Sequence, residues 1–337
     1  MVVEPVKVSP TEDGIRLMRW FARHYPRLSQ GEFRKLCRTG QIRINAGRVR
    51  GNEILHAGDI VRIPPVATSA AKREERKKEE GGGKFSMSDL EKLRKRIIHD
   101  DRDLVAFDKP AGLAVQGGTG IVKSLDKMAA ALFPHDNILL VHRLDRETSG
   151  VIVLAKNQRA AQGLAAEFQS KNARKEYLAL LSGRVKQKRG TIDNFMTRGR
   201  VFDPEEAEVF KAETGLRPQR AVTRYKVLNE IPGILAWVQF MPETGRTHQL
   251  RLHAAFSLGA PIVGDALYGG ERGQKMETDL RAMIGSDNLF LFAHQLTFRH
   301  PATGKTMTVR AQLPEFMKTV LGLLGFNEDD EKERPPD

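Results

Sequence analysis

The sequence predicts an α+β protein in which a small basic α/β unit precedes a larger domain built around a mixed sheet. Strand-like runs recur from about residue 93 with long, unequal connections, unlike the regular β-α-β-α order of a doubly wound fold. The nine residues Lys72 to Glu80 are all charged and lead into Gly81-Gly82-Gly83, a composition that buries no apolar face and reads as a linker. Residues 1–66 carry twelve Lys/Arg against six Asp/Glu, a net of +6 within a chain total of +13. The expected division is therefore 1–66 as a basic unit, 67–92 as linker, 93–325 as the main domain and 326–337 as an acidic tail.

In the first unit, Ile15, Met18, Phe21 and Ala22 recur at helical spacing, with Arg16, Arg19 and Arg23 between them. A second helix is expected from Gln30 to Arg38, opened by Ser29 and stopped at Thr39-Gly40. Short strands should follow at Ile42 to Asn45, around Val49, and from Asp59 to Pro64, with a turn at Ala46-Gly47.

Beyond the linker, strands are expected at Leu104 to Phe107, Gly150 to Ala155, Tyr177 to Leu181, Ala221 to Leu228, Ile234 to Phe240, Leu289 to Phe298 and Met307 to Ala311. Between them, Asn157 to Ser170 reads as a helix with Ala160, Leu164, Ala165 and Phe168 on one face.

The densest chemistry lies in Val141-His142-Arg143-Leu144-Asp145-Arg146-Glu147-Thr148-Ser149-Gly150. One carboxylate stands between two arginines just ahead of a buried strand. Flanking positive charge favours an ionised carboxylate, which serves as a nucleophile or a base once positioned. This run resembles the catalytic motif of the RluA-like family of pseudouridine synthases. The resemblance extends in order through Asp108-Lys109-Pro110-Ala111-Gly112, Lys175-Glu176-Tyr177, Thr244-Gly245-Arg246-Thr247-His248-Gln249-Leu250-Arg251-Leu252-His253, Gly264-Asp265 with Tyr268-Gly269, and Leu291-Phe292-Ala293-His294. It spans about 93–315. Within the family, the wording around Asp145, the run Val115 to Gly120 and the basic N-terminal unit are most similar to the branch acting on large-subunit ribosomal RNA.

The resemblance implies an antiparallel-dominated pseudouridine synthase sheet around a central cleft. It implies that Asp145 is the essential carboxylate, that Arg251 pairs with it, and that Tyr177 stacks on the target base and helps manage the C5 proton. Arg143 is implied to enter the space left by an extruded uridine, an extrusion that costs a few kcal/mol of stacking. The carboxylate's first step, addition to the ribose or the base or removal of the 2′ proton, stays open. Isomerisation is redox-neutral and releases no phosphate, so no cofactor and no metal is expected. The N-terminal segment, through Arg34-Lys35-Leu36, Arg38 to Asn45 and Ala57 to Val61, resembles the S4 RNA-binding domain. That likeness implies an RNA face at Arg34, Lys35, Arg38 and Arg43.

Composition agrees with a polyanionic partner: 55 Lys/Arg against 42 Asp/Glu and a pI near 9.9 favour phosphate neutralisation. The single cysteine, Cys37, excludes an intrachain disulfide and a cysteine-based zinc cluster. There is no apolar core of a signal peptide and no run of ~18–20 apolar residues, so a cytoplasmic protein without a membrane partner is expected; nothing suggests an obligate dimer, and a monomer is the default expectation. Gly304-Lys305-Thr306 is no phosphate loop, because Arg299 occupies the position of the required glycine. Gly117 to Gly120 lacks dinucleotide-site spacing, and His142, His248, His253 and His294 lack zinc spacing; buried structural histidines are expected. The partner is thus expected to be large-subunit ribosomal RNA or a ribosome precursor. A tRNA or other structured RNA, or a non-catalytic role in RNA binding or ribosome assembly, stays open.

Overall fold

A computed structural model of the chain describes residues 5–25, 28, 30–64, 85–117, 123–197, 199–270 and 288–326. It has two compact units, Met1–Lys84 and Phe85–Asp337. The expected linker residues 67–84, the expected loop residues 118–120 and the tail from 327 lie outside the described residues.

The first unit holds α1 (Leu17–His24), α2 (Gln30–Arg38) and an antiparallel sheet of β1 (Val6–Lys7), β2 (Arg43–Ile44), β3 (Gly47–Arg48) and β4 (Ile60–Arg62), ordered β1-β4-β2-β3. The buried face of α1 differs from the expected one. Leu17, Trp20 and Phe21 are buried, Ile15 and Met18 are only partly so, and Ala22 is exposed. Trp20 offers the largest apolar area of the segment, so it fixes the rotation of the helix. Val8, Phe33, Leu36, Cys37, Ile42, Val49, Leu55, Val61 and Ile63 complete this core. Asn45 and Ala46 join β2 to β3 with φ of 48° and 66°, the left-handed pair that a two-residue hairpin favours. Asn45 is held there because its side chain donates to Asp59 (2.8 Å) and accepts from the Ile60 amide (2.9 Å).

The second unit starts earlier than the sequence pattern indicates. Residues 85–92, expected in the linker, include most of α3 (Met87–Arg94), where Ser86 and Asp89 cap each other's backbone amides. An eleven-stranded sheet follows. Its path runs β11 (Arg200–Phe202), β10 (Arg189–Thr197), β12 (Gln219–Ile231), β13 (Leu235–Pro242), β9 (Arg174–Ser182), β14 (Leu291–Arg299), β8 (Ser149–Ala155), β6 (Leu104–Lys109), β5 (Ile97–Asp100). Off this path, β15 (Thr306–Arg310) pairs with β14 and β7 (Leu139–Leu140) with β8. Among the described strands only β8 and β14 run parallel, so the expected mixed, mainly antiparallel sheet is what forms. The helices are α4 (Leu125–Leu132), α5 (Gln158–Gln169), α6 (Pro204–Thr214), α7 (Gln249–Leu252), which continues as a π-helical turn at His253–Ser257, and α8 (Glu315–Leu323). No described helix is long and apolar enough to cross a membrane.

β8 is buried at every position because it is covered on both faces. Val151, Val153 and Ala155 enter one apolar cluster, Ile152 and Leu154 the other. A continuous apolar run is the sequence signature of such a strand.

The sheet register places the motifs. Phe240, Tyr177, Ala293, Gly150 and Lys109 lie side by side across β13, β9, β14, β8 and β6. This single row therefore gathers four of the sequence motifs and the strand leading into the fifth. Gly150 makes it possible. Its φ is +108°, and a Cβ there would collide with the backbone of Ala293, so only glycine lets β8 and β14 approach this closely.

Candidate active site

At the end of this row opens a cavity of about 460 Å³ lined by residues 141–145, 148, 242–251 and parts of α5 and β9. It contains Arg143, Asp145, Tyr177 and Arg251 together, the four residues that the sequence singled out in this domain. Arg143, Lys171, Lys175, Arg246 and Arg251 outnumber the carboxylates Asp145 and Glu243 in its lining, so the cavity attracts an anionic ligand.

The Asp145 segment is an irregular loop between β7 and β8. Leu144 is buried in the apolar cluster under the loop, while Arg143 is exposed and Asp145 half-buried. One apolar anchor thus turns its two polar neighbours towards the cavity. The Thr148 amide donates to the Asp145 carbonyl at 3.2 Å and closes the turn.

From below, Lys109 fastens this loop. Its side chain is fully buried, and its ammonium donates to the carbonyls of Pro110 (3.0 Å), Leu113 (2.9 Å) and Arg146 (3.0 Å). Burial pulls its pKa down to about 8, against the raising charges of Glu147 and Asp145. The Arg146 carbonyl also accepts from the Gly112 amide at 2.9 Å, and the Arg146 guanidinium donates back to the Gly112 carbonyl at 3.0 Å. Arg146 is therefore spent on the loop rather than on the neighbouring carboxylate, as its position in the motif had suggested.

His142 is held from the other side. The Val153 amide donates to its Nε2 at 3.0 Å, and the ring stacks on Phe168 with centroids 4.6 Å apart. An amide has only a proton to give, so Nε2 carries none and the ring is neutral. Burial, reinforced by Lys175, lowers its pKa to about 3.

Tyr177 packs against both apolar clusters. Burial first, and the charge of Asp145 second, push its hydroxyl well above the ordinary phenol range. It stays a phenol at any physiological pH. The charge of Asp145 also acts on Lys109, Arg251 and Tyr268.

The expected ion pair of Arg251 is different in the structure. Its partner is Asp265, not Asp145: Nε donates to Oδ2 at 2.7 Å and an η nitrogen to Oδ1 at 2.5 Å. Both residues are buried, and Oδ1 additionally accepts from the amides of Leu267 and Tyr268 at 3.0 Å each. Such a two-point clamp fixes the plane of the guanidinium. The remaining η nitrogen is buried without a hydrogen-bond partner among the described residues, 4.0 Å from Glu147. Tyr268 lies 5.2 Å from the guanidinium carbon. The physical reason for the changed pairing is burial. Arg251 sits between Leu250 and Leu252, both buried, and needs a permanent counterion there, whereas Asp145 stays half-open to the cavity.

The turn from β13 into α7 is held by a buried network. Gln249 accepts from the Thr244 hydroxyl (2.8 Å) and the Arg246 amide (2.9 Å), and donates to the Val222 carbonyl (3.0 Å) and Thr223 hydroxyl (2.9 Å). His253 bridges Thr223 (2.9 Å) and Asn194 (3.0 Å), and burial lowers its pKa to about 4 despite the opposing charge of Asp193. His248 bonds the Tyr268 hydroxyl at 2.8 Å. His253 is the buried structural histidine expected, whereas His142 and His248, though hydrogen-bonded, are half-buried and line the cavity.

Sequence reasoning assigned no role to Asp265, Lys175 or Gln249. A usable signal existed for Asp265 alone, since an arginine between two leucines on a short helix demands a buried carboxylate nearby. In the first unit, Arg34, Lys35 and Arg38 are exposed on α2. Arg43 is half-buried and donates to the carbonyls of Gly40 (3.1 Å) and Ala46 (3.4 Å).

The RNA pseudouridylate synthase family matches residues 103–256, the stretch that holds the Asp145 loop, β9 and the turn into α7. The chain is 32% identical to the ribosomal large subunit pseudouridine synthase C of Pasteurella multocida (strain Pm70), over 96% of this chain and 94% of the relative. It is likewise 32% identical to the protein of that name from Escherichia coli (strain K12), over 95% and 96%. Human RNA pseudouridylate synthase domain containing 4 superposes with a TM-score of 0.56 at 29% identity, covering 70% of this chain and 95% of that one. The chain belongs to the RluA-like family of pseudouridine synthases, on its C-type branch.

Proposed function

We propose that this protein converts uridines in large-subunit ribosomal RNA to pseudouridine, as a cytoplasmic monomer acting on that RNA or on a ribosome precursor. The observation that carries the reading is the cavity that unites Asp145, Tyr177, Arg251 and Arg143. In the reaction the N1–C1′ bond breaks, the uracil turns, and C5 bonds to C1′. N1 gains a proton and C5 loses one, so nothing is oxidised or released.

Asp145 is the reacting carboxylate. Addition to the sugar, addition to the base and removal of the 2′ proton all require it ionised and facing the everted nucleotide. Arg251, held by Asp265, presents its remaining η nitrogen as a fixed cation near that reaction. Tyr177 supplies a face for the base and, as a phenol, a hydrogen-bond donor; its raised pKa disfavours a role as the base that takes the C5 proton. Arg143, exposed on the loop, is suited to fill the gap left by the everted uridine, where it regains stacking and charge contacts. No step calls for a cofactor or metal.

The N-terminal unit fits an S4-like RNA clamp. Besides Arg34, Lys35 and Arg38, its sheet aligns Arg48, Arg43 and Arg62 across β3, β2 and β4. Like charges directly opposite one another destabilise a sheet, and a phosphate backbone lying over them removes that penalty.

Mapping pseudouridines across total RNA from cells with and without this protein tests the reading. Loss of sites confined to large-subunit ribosomal RNA is expected. Loss confined to tRNA would move the substrate, and no loss anywhere would remove the activity.

A further inference from the structure

A second cavity of about 410 Å³ adjoins the first, and the segment Gly245-Arg246-Thr247-His248 lines both. Its apolar part is formed by Met196 and Leu252, both buried, beside the rings of Tyr268 and His248. Arg217 and Arg246 line it as well, both exposed. Unlike the first cavity, it has no carboxylate among its described lining residues. The Nε of Arg246 is committed to the Arg220 carbonyl at 3.0 Å, and its terminal nitrogens have no protein partner among the described residues.

The dividing wall is held in an unfavourable backbone shape. His248 has φ +55°, a left-handed conformation that a side chain disfavours and that persists where its surroundings impose it, often at ligand sites. The ring of His248 is bonded to the Tyr268 hydroxyl at 2.8 Å, and Tyr268 itself lies close to Gly199, where a Cβ would stand 3.4 Å from that hydroxyl. The outcome is a slot with aromatic edges, an apolar base and guanidinium groups at its mouth, of a size that takes a nucleoside.

We propose that this second cavity binds an unpaired nucleotide within two positions of the target uridine, its base beside Tyr268 and His248 and its phosphate on Arg246 and Arg217. The proposal rests on the reading of the protein as an RNA pseudouridine synthase. Everting the target already unstacks its neighbours. A neighbouring base captured beside these rings recovers that stacking, and the arginine on the shared wall neutralises the phosphate between the two sites. The subsite thus selects RNA whose strand can open on both sides of the wall.

The test uses the full chain and large-subunit ribosomal RNA transcribed with 5-tritiated uridine. Gln219→Trp, at an exposed position on the cavity's lining, fills the slot, and Arg217→Ala removes one cation from it. Each is expected to lower kcat/KM by about five- to a hundredfold, the range a lost base stack or phosphate contact produces, mainly through KM. A benzoylphenylalanine at position 217 should crosslink within two nucleotides of a modified uridine. Unchanged kcat/KM in both variants, or crosslinks only to distant RNA, overturns the subsite while leaving the activity in place. Absence of tritium release by the unsubstituted protein would remove the functional reading and the subsite with it.

Discussion

Replacing Asp265 with Asn isolates the device on which the cleft depends. The side chain keeps its size, but Arg251 keeps its charge and loses its counterion at a position only 3% exposed. Breaking a buried ion pair by neutralising one partner costs about 3–5 kcal/mol. In a unit of this size each kcal/mol lowers Tm by roughly 2–4 °C, so a fall of about 6–12 °C is expected at the lower figure. Activity should fall further than stability accounts for, because the guanidinium plane is then free to turn and a displacement of ~1 Å costs on the order of a hundredfold. Replacing both residues with apolar ones, Asp265→Leu with Arg251→Met, should restore most of the stability, since no unpaired charge remains, while leaving the protein inactive. Thermal denaturation and tritium release from 5-tritiated RNA read the two effects separately. An Asp265→Asn protein with unchanged Tm and full activity would refute the reasoning.

Three further outcomes follow from the geometry. Gly150→Ala should cost about 3 kcal/mol or more, from the strain of φ +108° and the collision with Ala293, and appear as a lowered Tm. His253 is fully buried with its pKa lowered from 6.5 to about 4. Its stabilising contribution is complete above pH 6.5 and is lost as pH falls through the folded value, on the order of 3 kcal/mol. Urea titrations should show that loss between pH 6.5 and 4, with His142 extending it towards 3, and His253→Asn should flatten it. In the N-terminal sheet, Arg48→Gln and Arg62→Gln should each reduce the salt slope of ribosomal RNA binding by about one, measured by filter binding at several salt concentrations.

The parts of the molecule legible in its sequence are those with a local cause. The buried run Gly150 to Ala155 announces β8, because a strand covered on both faces must be apolar throughout. α2 is legible at its end, since Thr39-Gly40 leaves the chain only a left-handed exit at Gly40, φ +69°, while Ser29, the expected start, lies outside the described residues. α6 carried comparable signals, Asp203-Pro204-Glu205-Glu206 at its start and Gly215 after its end. Its weakly periodic surface hid them from a reading that starts at apolar spacing. The site divides in the same way. Asp145, Tyr177 and Arg251 stand in motifs, and the register of the sheet brings the first two motifs into one row with the strand that leads to the third, a long-range outcome that no local pattern encodes. The Arg251 partner was misread for that reason. Which carboxylate reaches a buried guanidinium is decided by packing around α7, and Asp265 lies fourteen residues away across an intervening turn.

Asp145→Asn is the most direct trial of the account. With the unsubstituted chain releasing tritium from 5-tritiated ribosomal RNA, the variant should release none while binding that RNA with nearly unchanged affinity. Release at the unsubstituted rate would mean that the chemistry belongs to another group, and the assignment of this cleft would have to be withdrawn.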